Sequence, residues 1–305
     1  MDIDTKIAAN PAIERLGFEA NDRVVILHVD DVGMCGASLD AFVDLWARKA
    51  VTCGSVMVPC PWFRATAAWA RANPDADLGV HATLTSEWPG YRWGPVSTRD
   101  PASGLMDSER AFHRTSEDAG ALADPVAASV ELRMQIAMAL EAGIAATHLD
   151  THMGSVMHPR LYIAFVTAAL DAGLLPFALR LDEGQWSRML NDKAASDFFV
   201  AAGRDLEQRN VPMLDRVLQL SLSIEDDRAA RTREMVDKVG PGQIGYALFH
   251  PALDTAELRA ICPDWRSRVS DYELLASGEL RRHLEDQGVK VIGCRELQAL
   301  TPARP

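Results

Sequence analysis

Long apolar runs are missing from this 305-residue sequence. No stretch reaches the roughly 18 residues that a membrane-spanning helix needs, so a soluble protein is expected. The start, Met1-Asp2-Ile3-Asp4, lacks the basic residues and apolar core of a secretory signal, which points to the cytoplasm. Cysteine is scarce and odd in number. Cys35, Cys53, Cys60, Cys262 and Cys294 contain no Cys-x-x-Cys pair, which argues against a structural zinc site or a dithiol redox centre. They read as buried reduced thiols, with Cys35 the one near enough to Asp30-Asp31 to line a pocket. Positive charge is in deficit, with 31 Lys and Arg against 43 Asp and Glu and a net charge of -12. A phosphate-neutralising surface is therefore not expected. No Gly-x-Ser-x-Gly elbow and no Walker loop occurs, so serine hydrolases and nucleoside triphosphatases lose their anchor. Gly240-Pro241-Gly242-Gln243-Ile244-Gly245 matches the dinucleotide fingerprint by letter. It precedes an apolar run where the fingerprint must follow one, so it reads as a turn.

What the sequence does hold is 48% hydrophobic and 24% charged residues, enough for a large core in one α/β domain. Short apolar runs alternate with amphipathic stretches, the pattern of parallel strands with crossover helices. Strands are expected at Val24 to Val29, Ser55 to Val58, Leu78 to His81, Ala146 to Leu149, Phe177 to Leu181, Val217 to Leu222, Ile244 to Phe249 and Val289 to Ile292, a count that suits a barrel. Asp124-Pro125 supplies a cap and first-turn proline for a helix carrying Val126, Val130, Met134, Ala137 and Leu140, with Gly143 as its stop. Pro159 to Gly173 repeats that grammar, and Ser223 with Asp226 starts another helix running towards Gly240. Ser86 to Asp124 has no clear period. A stretch of that length inside a domain is expected to be a lid or binding loop. The chain, residues 1–305, reads as a single domain carrying this loop insertion at about 86–124.

The chemistry-bearing residues gather at strand ends, where α/β enzymes build their sites. Asp30-Asp31 closes the run Val24 to Val29. Two buried carboxylates are costly there unless paired or metal-bound, and because neighbours point in different directions one can bind a metal while the other serves as a base. His81 ends the third run. In His148-Leu149-Asp150-Thr151-His152 a period of two sets His148, Asp150 and His152 on one face. With Asp31 and His81 this makes an Asp-His-His set from three strand ends, leaving positions open for water and substrate. His250 ends the run Ile244 to Phe249. Arg180 is placed to hold Asp30 or to form a plain structural ion pair. Trp88, Tyr91 and Trp93 are expected to present flat rings to a sugar or to pack the loop.

Four ordered motifs, His28-Val29-Asp30-Asp31-Val32-Gly33, Gly79-Val80-His81-Ala82-Thr83-Leu84-Thr85, Thr147-His148-Leu149-Asp150-Thr151-His152 and Phe249-His250-Pro251-Ala252, resemble those of the YdjC-like carbohydrate deacetylases. These include the chitooligosaccharide deacetylases, within the wider polysaccharide deacetylase group. The resemblance runs from about Val24 to beyond Asp271-Tyr272-Glu273-Leu274-Leu275. It implies a distorted (β/α) barrel of about seven parallel strands, Asp31, His81 and His152 as metal ligands, Asp30 as base, His250 as acid and Arg180 in an orienting role. His148 and Asp150 are taken with the aromatic rings as substrate contacts. The sequence departs from the family pattern at Met153-Gly154-Ser155 and at His28-Val29, where Asn or a similar residue is usual before the Asp pair.

The expected activity is removal of an N-acyl group, acetyl above all, from a small carbohydrate-like substrate by a metal-dependent amide hydrolase. One divalent ion is implied. Two imidazoles and a carboxylate suit Zn²⁺, while the family resemblance also admits Mg²⁺. Neither nucleic acid nor membrane is expected as a partner, and a homodimer is left open. The rival readings are a metal-dependent barrel isomerase or phosphodiesterase, which would draw on Asp182, Glu183 or Asp254, and a non-catalytic carbohydrate-binding protein with a relic site.

Overall fold

The computed structural model describes residues 8–302, so the reading of Met1-Asp2-Ile3-Asp4 lies outside the described residues. Eight strands form: β1 Val24–Val32, β2 Cys53–Val56, β3 Leu78–Ala82, β4 His148–Thr151, β5 Leu175–Pro176, β6 Arg216–Leu218, β7 Ile244–Phe249 and β8 Lys290–Ile292. Every pairing between them is parallel. The order is β5-β4-β3-β2-β1-β7-β6, with β8 pairing β1 off this path. The curled sheet then meets itself. Beyond β5, Leu214 N donates to Ala178 O at 2.9 Å and Arg180 N donates to Leu214 O at 2.8 Å, a parallel bridge between the two ends of the order. This is the expected distorted barrel. All nine residues of β1 are buried, as a central strand covered on both faces requires.

Two strands are shorter than the sequence suggests. The Phe177 to Leu181 segment follows β5 and holds Leu214 through a single bridge at Leu179 rather than a ladder. In place of Val217 to Leu222, the strand ends at Leu218, and Gln219 and Leu222 turn to line a cavity. The helix expected from Ser223 starts at Arg228 instead. The Arg228 guanidinium donates to Ser221 O and Ile224 O, which holds the preceding residues as a turn.

The helix Pro125–Glu141 forms with its Asp124 cap, but its orientation reverses the obvious apolar stripe. Val126 is 71% exposed, Val130 50% and Met134 40%. The inward face carries Ala128, Leu132, Ile136 and Ala139 together with Glu131 and Gln135. The polar pair is buried because it satisfies loop backbone. The Glu131 carboxylate accepts from Val96 N and Ser97 N at 3.1 and 2.8 Å. Gln135 bonds both the N–H and the C=O of Thr83. The long segment after β3 is thereby tied down. It is ordered, with a helix at Ser116–Leu122 and bridges joining Thr85 to His113 and Met106 to Phe112. Among the described residues no helix is long and apolar enough to cross a membrane.

Candidate metal centre and catalytic pocket

The Asp30-Asp31 step decides the site. On a regular strand consecutive side chains point to opposite faces. Here the β1–β2 register shifts between Val29 and Val32, and Asp31 adopts the left-handed φ of 60°. Asp tolerates that conformation better than most residues, though it still carries strain. The kink turns the Asp31 carboxylate towards the same end of the barrel as Asp30. The turn is continued by Gly33, also at positive φ, where an added Cβ would lie 2.4 Å from Thr66 Oγ1.

Asp31 Oδ1 lies 3.4 Å from His81 Nε2 and 3.2 Å from His152 Nδ1, and the three ligand atoms fall within 4.8 Å of one another. Asp31 Oδ1 and His81 Nε2 are buried and make no hydrogen bond to any described residue. Unpartnered polar atoms converging in a buried place are costly unless something binds them. One carboxylate oxygen and two imidazole nitrogens make a donor set that could hold a divalent metal ion.

Each of the three is held from behind. His81 Nδ1 meets Asp150 Oδ1 at 2.8 Å, and His152 Nε2 meets Glu87 Oε2 at 3.1 Å. Arg268 Nη1 donates to Asp31 Oδ2 at 2.7 Å. Such outer partners fix the ring orientation and tautomer of a ligand histidine. The electrostatics agree. Burial opposes ionisation of Asp31, but Arg268 and then His152 outweigh it and hold the carboxyl well below its usual range. Burial works against a charged His81, yet Asp150 and Asp30 raise it well above the ordinary value. His152, also opposed by burial, is raised to about 9 by Glu87 and Asp31. Surroundings that favour protons on these imidazoles favour a cation in their place equally.

These groups open on a cavity of about 360 Å³ lined by Asp30, Asp31, Glu87, Trp88, His152, His250 and Arg268, with Met153, Met157, Phe177, Val217, Leu222 and Leu248 as an apolar wall. Asp30 Oδ2 is 3.6 Å from His250 Nε2. Burial pushes the His250 imidazole below the usual histidine value. Its backbone N–H donates to Asp271 Oδ2, and Asp271 is itself locked to Arg228 at 2.6 Å.

Asp30, Asp31, His81, His152 and His250 thus come together as the sequence predicts. Four other expectations need correction. Arg180 does not reach Asp30. It pairs with Asp215 at 2.7 Å and donates to Ala8 O, on the segment that bridges Leu214. Asp150 is a support for His81, buried at 3% exposure. His148 lies deeper still against Thr147, in space that Gly79 leaves open, since a Cβ there would meet its ring at 2.5 Å. Neither lines the cavity. Of the three aromatic rings Trp88 lines the cavity, whereas Tyr91 and Trp93 do not. Trp93 is buried, donates to Thr85 O and stands 6.0 Å from the His152 ring. Tyr91 OH donates to Met34 O. Trp88 lines the cavity with Arg268 5.4 Å over its ring. Glu87 and Arg268 went unnoticed in the sequence. Their partners lie 65 and 237 residues away in the sequence, so no local spacing marks them.

A YdjC-like protein family model matches residues 24–286, which takes in every one of these motifs. The chain belongs to the YdjC-like family. A carbohydrate deacetylase of Thermus thermophilus is 33% identical over 279 residues, spanning 90% of this chain and 94% of that protein. One from Listeria monocytogenes is 26% identical over 278 residues, spanning 90% and 99%. A solved structure described as a cellobiose-phosphate cleavage protein of Enterococcus faecalis V583 shares the fold, with a TM-score of 0.72 at 20% identity, covering 90% of this chain and 99% of that one.

Proposed function

We propose that this YdjC-like chain is a metal-dependent hydrolase that removes an N-acyl group, acetyl in the first instance, from a small carbohydrate-like substrate. The observation that carries the reading is the convergence on one cavity of the Asp31–His81–His152 donor set with Asp30 and His250, two proton-handling groups 3.6 Å apart. The deacetylase relatives supply the substrate class.

A divalent ion bound there supplies Lewis-acid polarisation of an amide carbonyl and makes water more acidic. Asp30, with one oxygen turned to the cavity, takes the proton of the attacking water. His250, beside it, hands a proton to the amine nitrogen, a poor leaving group without one. Arg268 keeps Asp31 oriented and charged, and Asp150 and Glu87 hold the two imidazoles. The apolar wall and Trp88 exclude water from one side. The rival isomerase or phosphodiesterase reading finds little support, since Asp182, Glu183 and Asp254 do not line this cavity. A relic binding site is disfavoured by the complete acid, base and donor set.

The test is acetate release from a panel of N-acetylated mono- and disaccharides by protein stripped with a chelator and reconstituted with Zn²⁺ or Mg²⁺. Release that requires reconstitution supports the reading. Equal release by stripped protein, or none from any form, overturns it.

A further inference from the structure

A catalytic base needs something to hold it, and the arginine expected in that role is elsewhere. The side chain against Asp30 is His28, two residues earlier on β1 and therefore on the same face of the strand. Its Nε2 lies 3.0 Å from Asp30 Oδ1, while Asp30 Oδ2 is the oxygen that faces His250. One oxygen sits at ion-pair distance from the ring, with no aligned hydrogen bond of its own, and the other is presented to the cavity. The same Nε2 lies 2.8 Å from Asp150 Oδ2 and 3.1 Å from Ser55 Oγ. Asp150 in turn holds His81, and Ser55 Oγ donates to Asp150 at 2.8 Å. His28 is therefore where the support of the base and the support of a metal ligand meet.

The ring has no freedom to leave. It is fully buried, stacked on Tyr246 with centroids 4.7 Å apart, edge-on to His148 at 5.1 Å, with Nδ1 3.2 Å from Cys53 Sγ. A polar side chain placed so deep, with its one outward nitrogen shared by two carboxylates, is not explained by packing alone.

We propose that His28 is the positioning residue for the base, aiming the Asp30 carboxylate at the cavity while tying it to the Asp150–His81 support. The inference rests on the hydrolase reading. Misplacement of a reacting group by about 1 Å can cost roughly 100-fold in rate, which sets the scale of the expected loss.

The experiment compares wild type with His28→Leu and His28→Gln in the metal-loaded protein, with steady-state kinetics, metal content and thermal unfolding measured for each. His28→Leu fills the space without a donor, and its kcat should fall roughly 10- to 100-fold at unchanged KM and metal content. His28→Gln restores an amide N–H at the Nε2 position and should recover most of that loss. A second readout needs no turnover. In the metal-free protein the His28 imidazole N–H signal, followed by nitrogen-15 NMR, should shift on Asp30→Asn. Wild-type kcat in His28→Leu, no recovery in His28→Gln, or an unmoved His28 signal overturns the inference. If His28→Leu fails to fold, His28→Gln and the NMR shift decide. Absence of turnover in wild type overturns the hydrolase reading itself, and a shift in the NMR signal still reports the His28–Asp30 contact.

Discussion

Replacing Asp150 by Asn probes the support of the centre without touching a donor. Asp150 Oδ1 accepts from His81 Nδ1 at 2.8 Å, which leaves the Nε2 lone pair free for a cation. It also receives the Tyr246 and Ser55 hydroxyls on Oδ2. His81 and His28 hold the carboxyl well below its usual range, against the effect of burial, so at neutral pH the group is charged. Removing that charge at constant shape should weaken metal binding about 10- to 100-fold, or about 1.4 to 2.7 kcal/mol. The assay is equilibrium titration with Zn²⁺ against a competing chelator, with thermal unfolding of the metal-free proteins run alongside to separate a weakened site from a weakened fold. Wild-type affinity in a folded Asp150→Asn protein would refute the reasoning that Asp150 orients His81.

His250→Ala should cripple hydrolysis of an N-acetyl substrate far more than that of an activated acetate ester, whose leaving group needs little protonation. Because burial lowers the His250 pKa and the protonated form is required, wild-type activity should decline as pH rises through a value below the ordinary 6.5, a limb missing from the variant. Arg180→Ala should leave kcat near wild type and cost about 3 kcal/mol of stability in chemical denaturation, since it strips the cation from buried Asp215 and leaves it the Asn10 amide and the Ile244 N–H. Burial already raises the Asp215 pKa, so ionisation there costs stability above that pKa. The Arg180→Ala deficit should shrink in acid, where Asp215 takes a proton.

The apolar runs and their spacing made the barrel legible, because central parallel strands such as β1 and Ile244–Phe249 are buried along their length and read as continuous hydrophobic stretches. Strand ends then marked Asp30, Asp31, His81 and His250. What the pattern concealed depends on tertiary partners. The stripe Val126, Val130, Met134 faces outward because Glu131 and Gln135 are needed inside to bond the chain at Thr83, Val96 and Ser97, and periodicity counts apolar residues without seeing loop backbone. The period of two places His148 and Asp150 inward, as found, but depth along the barrel axis is not written in it, so the pattern alone does not separate buried interior residues from substrate contacts. Arg180 sat at the right distance in sequence, and only the bridge to Leu214 reveals that it points to Asp215. Glu87 and Arg268 act through contacts 65 and 237 residues apart in sequence, beyond any local signal.

The central claim is that Asp31, His81 and His152 bind a metal while Asp30, one residue away, works on water. Asp30→Asn separates the two most directly. Metal content by elemental analysis and acetate release should be measured on the same preparation beside wild type. One ion per chain retained, with turnover reduced by at least about 100-fold, is the expected result. Loss of the ion with turnover, or near-normal turnover with the ion in place, would contradict it.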